Sequence, residues 1–131
     1  MSEHPNLQIM RRALDAFRAG DIATLSAVFS PDVVWRVPGK SFLAKDYRGQ
    51  AEVFAFFGRL MQLTGGTFKV ESVDMFANDS GGVFIDRVTA TRVDGKTLDV
   101  PLILHVRIRD GRIVEGMDAF HHEHLWDAFW A

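Results

Sequence analysis

The sequence predicts an α+β domain in which helices from the first half pack against a strongly bent antiparallel sheet built from the second. Apolar residues recur at three- and four-residue intervals as far as Leu63, and from Phe68 onward they alternate with polar ones, Gly65-Gly66 marking the change of period. No internal repeat or low-complexity linker interrupts the 131 residues, so residues 1–131 read as a single domain.

Each element has its own signal. Asn6 stands as an N-cap, and Met10, Ala13, Leu14 and Phe17 follow at helical spacing to about Arg18, with Gly20 closing the segment. Asp21 caps a second, shorter helix whose apolar side is Ile22, Leu25, Val28 and Phe29, ended by Ser30-Pro31-Asp32. Val33 to Val37 reads as a short strand stopped by Pro38-Gly39. Residues 40–49 read as a loop, which would set Tyr47 on a cavity rim. Ala51 to Leu63 is the third helix, with Val53, Phe54, Phe57, Leu60 and Met61 in one stripe that Phe56 widens.

Four strands complete the chain: Phe68 to Phe76, Val83 to Val93, Leu98 to Ile108 and Ile113 to Phe120. Asp94-Gly95 and Asp110-Gly111 are tight-hairpin signals. Leu98, Val100, Leu102, Leu104, Val106 and Ile108 share one face, while Pro101 argues for an edge, a bulge or a strand start because it cannot donate to the ladder.

Composition narrows the function classes. Eleven Phe and three Trp against one Tyr point to a large core, a lined cavity or a buried subunit face. The formal net charge is -2 and no Lys/Arg stripe stands out, so no nucleic-acid partner is expected. With no cysteine, disulfides, thiolate catalysis and Cys-ligated metal drop out. The polar, acidic start from Met1 to Gln8 does not read as a secretory signal, and no apolar run approaches the roughly 20 residues that span a bilayer. No membrane partner and a cytoplasmic location are therefore expected.

With the elements in place, the sequence resembles the nuclear transport factor two-like superfamily, in its SnoaL-like and ketosteroid-isomerase-like branch. The resemblance is carried by Ala16-Phe17-Arg18-Ala19-Gly20-Asp21 with Leu25, by Phe29-Ser30-Pro31-Asp32-Val33-Val34-Trp35, by Gly49 through Val53 with Phe57, by Asp110-Gly111-Arg112-Ile113-Val114-Glu115, and by Asp127-Ala128-Phe129-Trp130. It implies a cone: three N-terminal helices held in a strongly curved antiparallel sheet around an apolar pocket. It also implies a homodimer through the outer sheet face, where Ile103, His105 and Arg107 would be joined by Val88 and Ala90.

The family's catalytic patterns are incomplete here. Ile85-Asp86-Arg87-Val88-Thr89 resembles an epoxide-hydrolase stretch, with Thr89 at the position of a catalytic Asp and His121 at the position of the last acid. The steroid-isomerase pattern meets Phe17 at its oxyanion tyrosine and Trp35 or Val37 near its acid. Arg87 shares strand parity with Val83, Ile85 and Thr89, so on a largely apolar face it needs an oxygen acceptor. Asp86 has the opposite parity and is not expected to be its partner, whereas Asp118 is a candidate.

Imidazole as a side-chain type suits proton transfer at neutral pH, so His121 is the candidate base, with Arg87 as electrostatic support. His122-Glu123-His124 has no second ligand cluster upstream, so neither a metal nor any other cofactor is expected. Phe17, Trp35, Tyr47, Phe54, Phe57, Met61, Thr89 and Phe120 are the candidate ligand contacts. The function expected is a cofactor-independent enzyme acting on a small hydrophobic, oxygen-bearing molecule by isomerisation, cyclisation, dehydration or hydrolysis. The alternative is a non-catalytic, dimeric domain that binds such a molecule.

Overall fold

The computed structural model describes residues 3–131, and among them the chain forms four helices and six strands. The helices are α1 (Pro5–Ala19), α2 (Ile22–Val28), α3 (Gly49–Leu63) and α4 (Glu123–Trp130). The strands are β1 (Phe29–Val37), β2 (Lys45–Arg48), β3 (Lys69–Asn78), β4 (Gly81–Thr91), β5 (Thr97–Arg109) and β6 (Arg112–Phe120).

Three expectations about the architecture are corrected. A fourth helix follows the sheet, burying Trp126, Phe129 and Trp130 on one side of two turns. The sheet is mixed, because β1 runs parallel to β6 while every other pairing is antiparallel. Its order, β2-β1-β6-β5-β4-β3, leaves β2 and β3 as edges, so it is an open sheet and not a strongly curled antiparallel cone.

Local chemistry accounts for the helix ends. His4, not Asn6, caps α1: its Nδ1 accepts from the Asn6 backbone N–H at 3.0 Å, and Gly20 closes the helix in the left-handed conformation. Asp21 caps α2 by accepting from the Thr24 N–H at 3.1 Å. Phe29, expected at the end of α2, is already extended and starts β1.

The segment read as a loop contains β2, and Tyr47 is not on a rim. It pairs with Trp35, stacks on Phe56 and donates its hydroxyl to the Leu43 carbonyl at 2.7 Å. Pro101 sits within β5, between two other strands, yet β6 ends at Phe120 opposite Leu102. At Pro101, β5 therefore has a strand neighbour on one side only, and no ladder bond is lost.

The core lies between the helices and one face of the sheet. Met10, Leu25, Val33, Val53, Val88, Val100, Val106, Ile113 and Trp126 are almost wholly removed from water there. Val88 and Ala90, expected on the outer face, belong to this inner one. The outer face instead carries Ile103 and Met117, beside an Arg36–Glu115–Asp46 ion-pair network.

Candidate functional site

Two carboxyl groups face the apolar interior. Asp86 on β4 and Asp118 on β6 flank β5, opposite Leu102 and Leu104 respectively. They retain 3% and 8% of their accessible surface, in a region where almost every neighbour is hydrocarbon. Both line a cavity whose walls include Phe17, Phe57 and Trp35 and whose base is the Leu102, Leu104 and Val106 stripe. About 80 Å³ of it is open to the centre of a water molecule. That space takes several waters, or part of a small organic molecule.

Two single-residue irregularities aim these carboxylates. The β4–β5 connection pairs Thr91 with Thr97 and closes Arg92 on Lys96 by a 2.7 Å backbone bond, leaving three residues in the loop. Gly95 adopts φ +97° there. This register puts Asp86 opposite Leu102. The β5–β6 turn is the two-residue one, with Asp110 at φ 51° and Gly111 at φ 77°. A bulge then slips the register between Arg107 and Ile108, with Val114 as the extra residue. Without that slip Met117 would face Leu104. With it, Asp118 faces inward and Met117 outward.

Burial dominates the electrostatics. Desolvation pushes the Asp118 carboxyl up to about 7, opposed by the Trp35 indole and reinforced by the negative charge of Asp86. Desolvation likewise raises Asp86 to about 6, opposed by Ser72 and by the Arg18 guanidinium. Asp86 Oδ1 is buried without a hydrogen-bond partner among the described residues. Trp35 reaches Asp118 because its register partner is Gly116, two residues before Asp118 on the same face of β6. A Cβ on Gly116 would fall 2.7 Å from Trp35 Cη2, with two other ring carbons nearer still.

The SnoaL-like domain model matches residues 10–116. The chain belongs to the SnoaL-like family. It is 35% identical to an uncharacterised protein of Mycobacterium tuberculosis over the whole of both chains. The SnoaL-like fold recurs in Bal32a, from a soil-derived mobile gene cassette, at 38% identity and TM-score 0.93 over 97% of each chain. A SnoaL-like protein of Jannaschia sp. CCS1, provisionally described as a polyketide cyclase, shares the fold at TM-score 0.81 and 16% identity. That likeness covers 100% of this chain and 98% of the other.

Within this SnoaL-like frame the expected site residues fall into three groups. Phe17, Trp35, Phe57 and Phe120 line the cavity. Tyr47 is fixed elsewhere in the core by its bond to Leu43, and Phe54 and Met61 pack against the core from α3 without reaching the cavity wall. Thr89 points to the outer face, because its neighbours Val88 and Ala90 point inward.

Arg87 and His121 do not meet in one cavity. Arg87 is on the outer face, its side chain 54% exposed, and donates from Nε and Nη2 to the two carboxylate oxygens of Asp99 at 2.8 and 2.5 Å. It needs no ligand oxygen and does not pair with Asp118. His121 is exposed at the end of β6, its ring 4.4 Å from that of His122. Among the described residues no group of three or more His, Cys, Asp or Glu side chains could hold a metal ion. The residues that sequence reasoning missed as site members are Asp86 and Asp118.

Proposed function

We propose that this SnoaL-like protein moves a proton within a small, hydrophobic, carbonyl-bearing molecule held in the cavity, using its own side chains and no metal or organic cofactor. The observation that carries the reading is the pair of carboxyls, titrating near 6 and 7, on the wall of an otherwise apolar cavity. Asp86, the stronger acid of the two, is the base: as carboxylate it takes a proton from a carbon beside the carbonyl. Asp118 in its protonated form, with the Trp35 indole N–H, holds the carbonyl oxygen as negative charge develops on it. Asp86 then returns the proton to a different carbon, giving an isomer, or the enolate carbon attacks a second carbonyl, closing a ring, and the alkoxide formed as that C=O π bond opens takes the proton back from Asp86. The provisional description of the Jannaschia relative as a polyketide cyclase lies within this range of chemistry.

The test needs no known substrate. Cyclic enones and 1,3-diketones are incubated with the protein in deuterium oxide, and deuterium uptake is followed by mass spectrometry. D86N is expected to slow uptake by about 10²- to 10⁴-fold while ligand binding persists. The wild-type rate should peak between about pH 6 and 7, where Asp86 is ionised and Asp118 is not. Compounds that bind without exchanging deuterium, in wild type and D86N alike, would move the reading to a non-catalytic binding protein.

The same reading includes a homodimer through the outer sheet face, where Phe76, Ile103 and Met117 are exposed beside charged residues. Sedimentation equilibrium at micromolar concentration is expected to give twice the chain mass, and I103E the single-chain mass. A wild-type monomer rules the dimer out.

A further inference from the structure

The side chains around the cavity are unbalanced in charge. Two of them are carboxyls, Asp86 and Asp118, and among the described residues that line it none is Lys, Arg or His. Nine of the twenty lining residues are Phe or Trp, so rings make up most of the wall that is not aliphatic. The basic side chains nearby in the sheet are spent on the outer face, Arg87 on Asp99 and Arg36 on Glu115 and Asp46. Arg18 bears on Asp86 from α1, but it is exposed, and its Nε and Nη2 donate to the Val70 carbonyl at 2.9 and 2.7 Å.

An acidic pair in hydrocarbon, without a counter-ion in the same space, selects its occupant by charge. A carboxylate or phosphate would add a third negative group and is excluded. A neutral molecule leaves the repulsion between the two carboxyls as it was. A cation relieves it, and in so poorly solvated a space Coulomb attraction acts across several ångströms without contact with either oxygen. A metal ion does not fit: two carboxyls supply too few oxygens, and among the described residues no third ligating side chain joins them. An organic ammonium ion does fit, because ring faces attract the charge and the apolar wall takes the hydrocarbon part. Trp35 and Phe120 stand beside Asp118, the first through its indole N–H and the second two residues further along the same face of β6.

We propose that the cavity is a binding site for a small hydrophobic amine, held as its ammonium ion by the Asp86 and Asp118 carboxylates and the surrounding aromatic rings. The proposal goes beyond the proton-transfer reading and does not depend on it. The carboxyls hold a cation best when ionised, so binding drives protons off the protein. The ligand-free protein keeps its proton on Asp86 to about 6 and on Asp118 to about 7, whereas an alkylamine stays charged throughout. Affinity therefore rises with pH from about 5 to about 8. The charged groups facing the pair are Arg18 from α1, on Asp86, and each carboxyl on the other across β5.

The experiment is isothermal titration calorimetry of the ligand-free protein with cyclopentylamine and with cyclopentanol, a neutral molecule of nearly the same shape. At pH 8 the amine is expected to bind about 30-fold or more tighter than the alcohol, and about ten-fold or more tighter than it does itself at pH 5. Between those values the heat of amine binding should vary with the ionisation enthalpy of the buffer, which counts the protons released; the alcohol should show neither effect. D118N removes one charge at nearly constant shape. It is expected to lose about ten-fold or more in amine affinity at pH 8 and to bind the alcohol as wild type does. Equal affinity for amine and alcohol, an amine affinity independent of pH, no amine binding, or a D118N variant equal to wild type toward the amine each overturns the proposal. No turnover is read, so a failure of the deuterium-uptake assay remains a separate result.

Discussion

Replacing Asp118 by Asn is expected to stabilise the protein at pH 8 by about 2–4 kcal/mol and to change little at pH 4. The unfolded chain releases the Asp118 proton near 3.8, whereas the folded chain keeps it until about 7. Between those values the native state binds more protons than the unfolded state, so each step up in pH favours unfolding. The stabilising contribution of the neutral carboxyl is complete below about pH 4, is lost progressively toward pH 7, and does not change further above it. Three units at about 1.4 kcal/mol each give the upper figure, and relaxation around the buried charge reduces it. An amide has no charge to bury and escapes the loss. Urea midpoints of wild type and D118N at pH 4 and pH 8 test this. A variant less stable than wild type at pH 8 would mean that the Asp118 carboxylate has a strong partner after all. A gain would identify a residue whose retention costs the fold stability, as expected where a site's chemistry conflicts with packing.

Gly116→Ala should destabilise by about 1–3 kcal/mol, the ordinary range for forcing an extra methyl into a packed interior. The glycine is there for space and not for backbone freedom, since its φ lies outside the left-handed region. The Trp35 ring that an alanine Cβ would strike has little room to retreat. It stacks on Phe29 with centroids 5.7 Å apart and meets the edge of Phe57 at 5.3 Å. Rotating the indole to accommodate it would take the donor away from Asp118. Denaturant unfolding and near-ultraviolet circular dichroism should both change, and W35F in the G116A background should regain part of the loss because the smaller ring vacates the contact. Additive losses in the double variant would show that the two residues do not share this contact.

The first three helices and the five longer strands were readable because periodicity records burial, and burial is what these elements share with their neighbours, whereas the four-residue β2 was too short to show a period. The direction of β1 relative to β6 was not readable, since parallel pairing across most of the chain leaves no turn in the sequence to mark it. The α4 helix was also missed: its eight residues, five of them apolar, are too short a run to separate helix from strand by period.

The site was lost by one residue, twice. A two-residue turn at Asp94-Gly95 pairs Val93 with Lys96 and so sets Arg87 opposite Leu102, on the inner face. The three-residue loop that forms instead sets Asp86 there. β4 has apolar residues at both parities, Val83 and Ile85 on one and Phe84 and Val88 on the other, so pattern alone could not choose. On β6, an unbroken register from Asp110-Gly111 turns Asp118 outward, and only the bulge at Val114 reverses it. The usable signal was chemical: Asp99 lies close enough in sequence to the same hairpin to satisfy Arg87 from outside.

The parallel β1–β6 pairing also sets a schedule for the growing chain. Strands β3 to β6 form a meander whose neighbours are adjacent in sequence, and it can assemble from local hairpins. Strand β1 leaves the ribosome early but has its place between β2 and β6, and Trp35 cannot settle over Gly116 until about 80 further residues have been made. At roughly 5–20 residues per second, that is several seconds during which α1, α2 and β1 are exposed without the strand that completes their sheet. Nascent chains arrested before β6 should therefore be protease-sensitive throughout Phe29–Val37 and become protected there only when Phe120 has emerged.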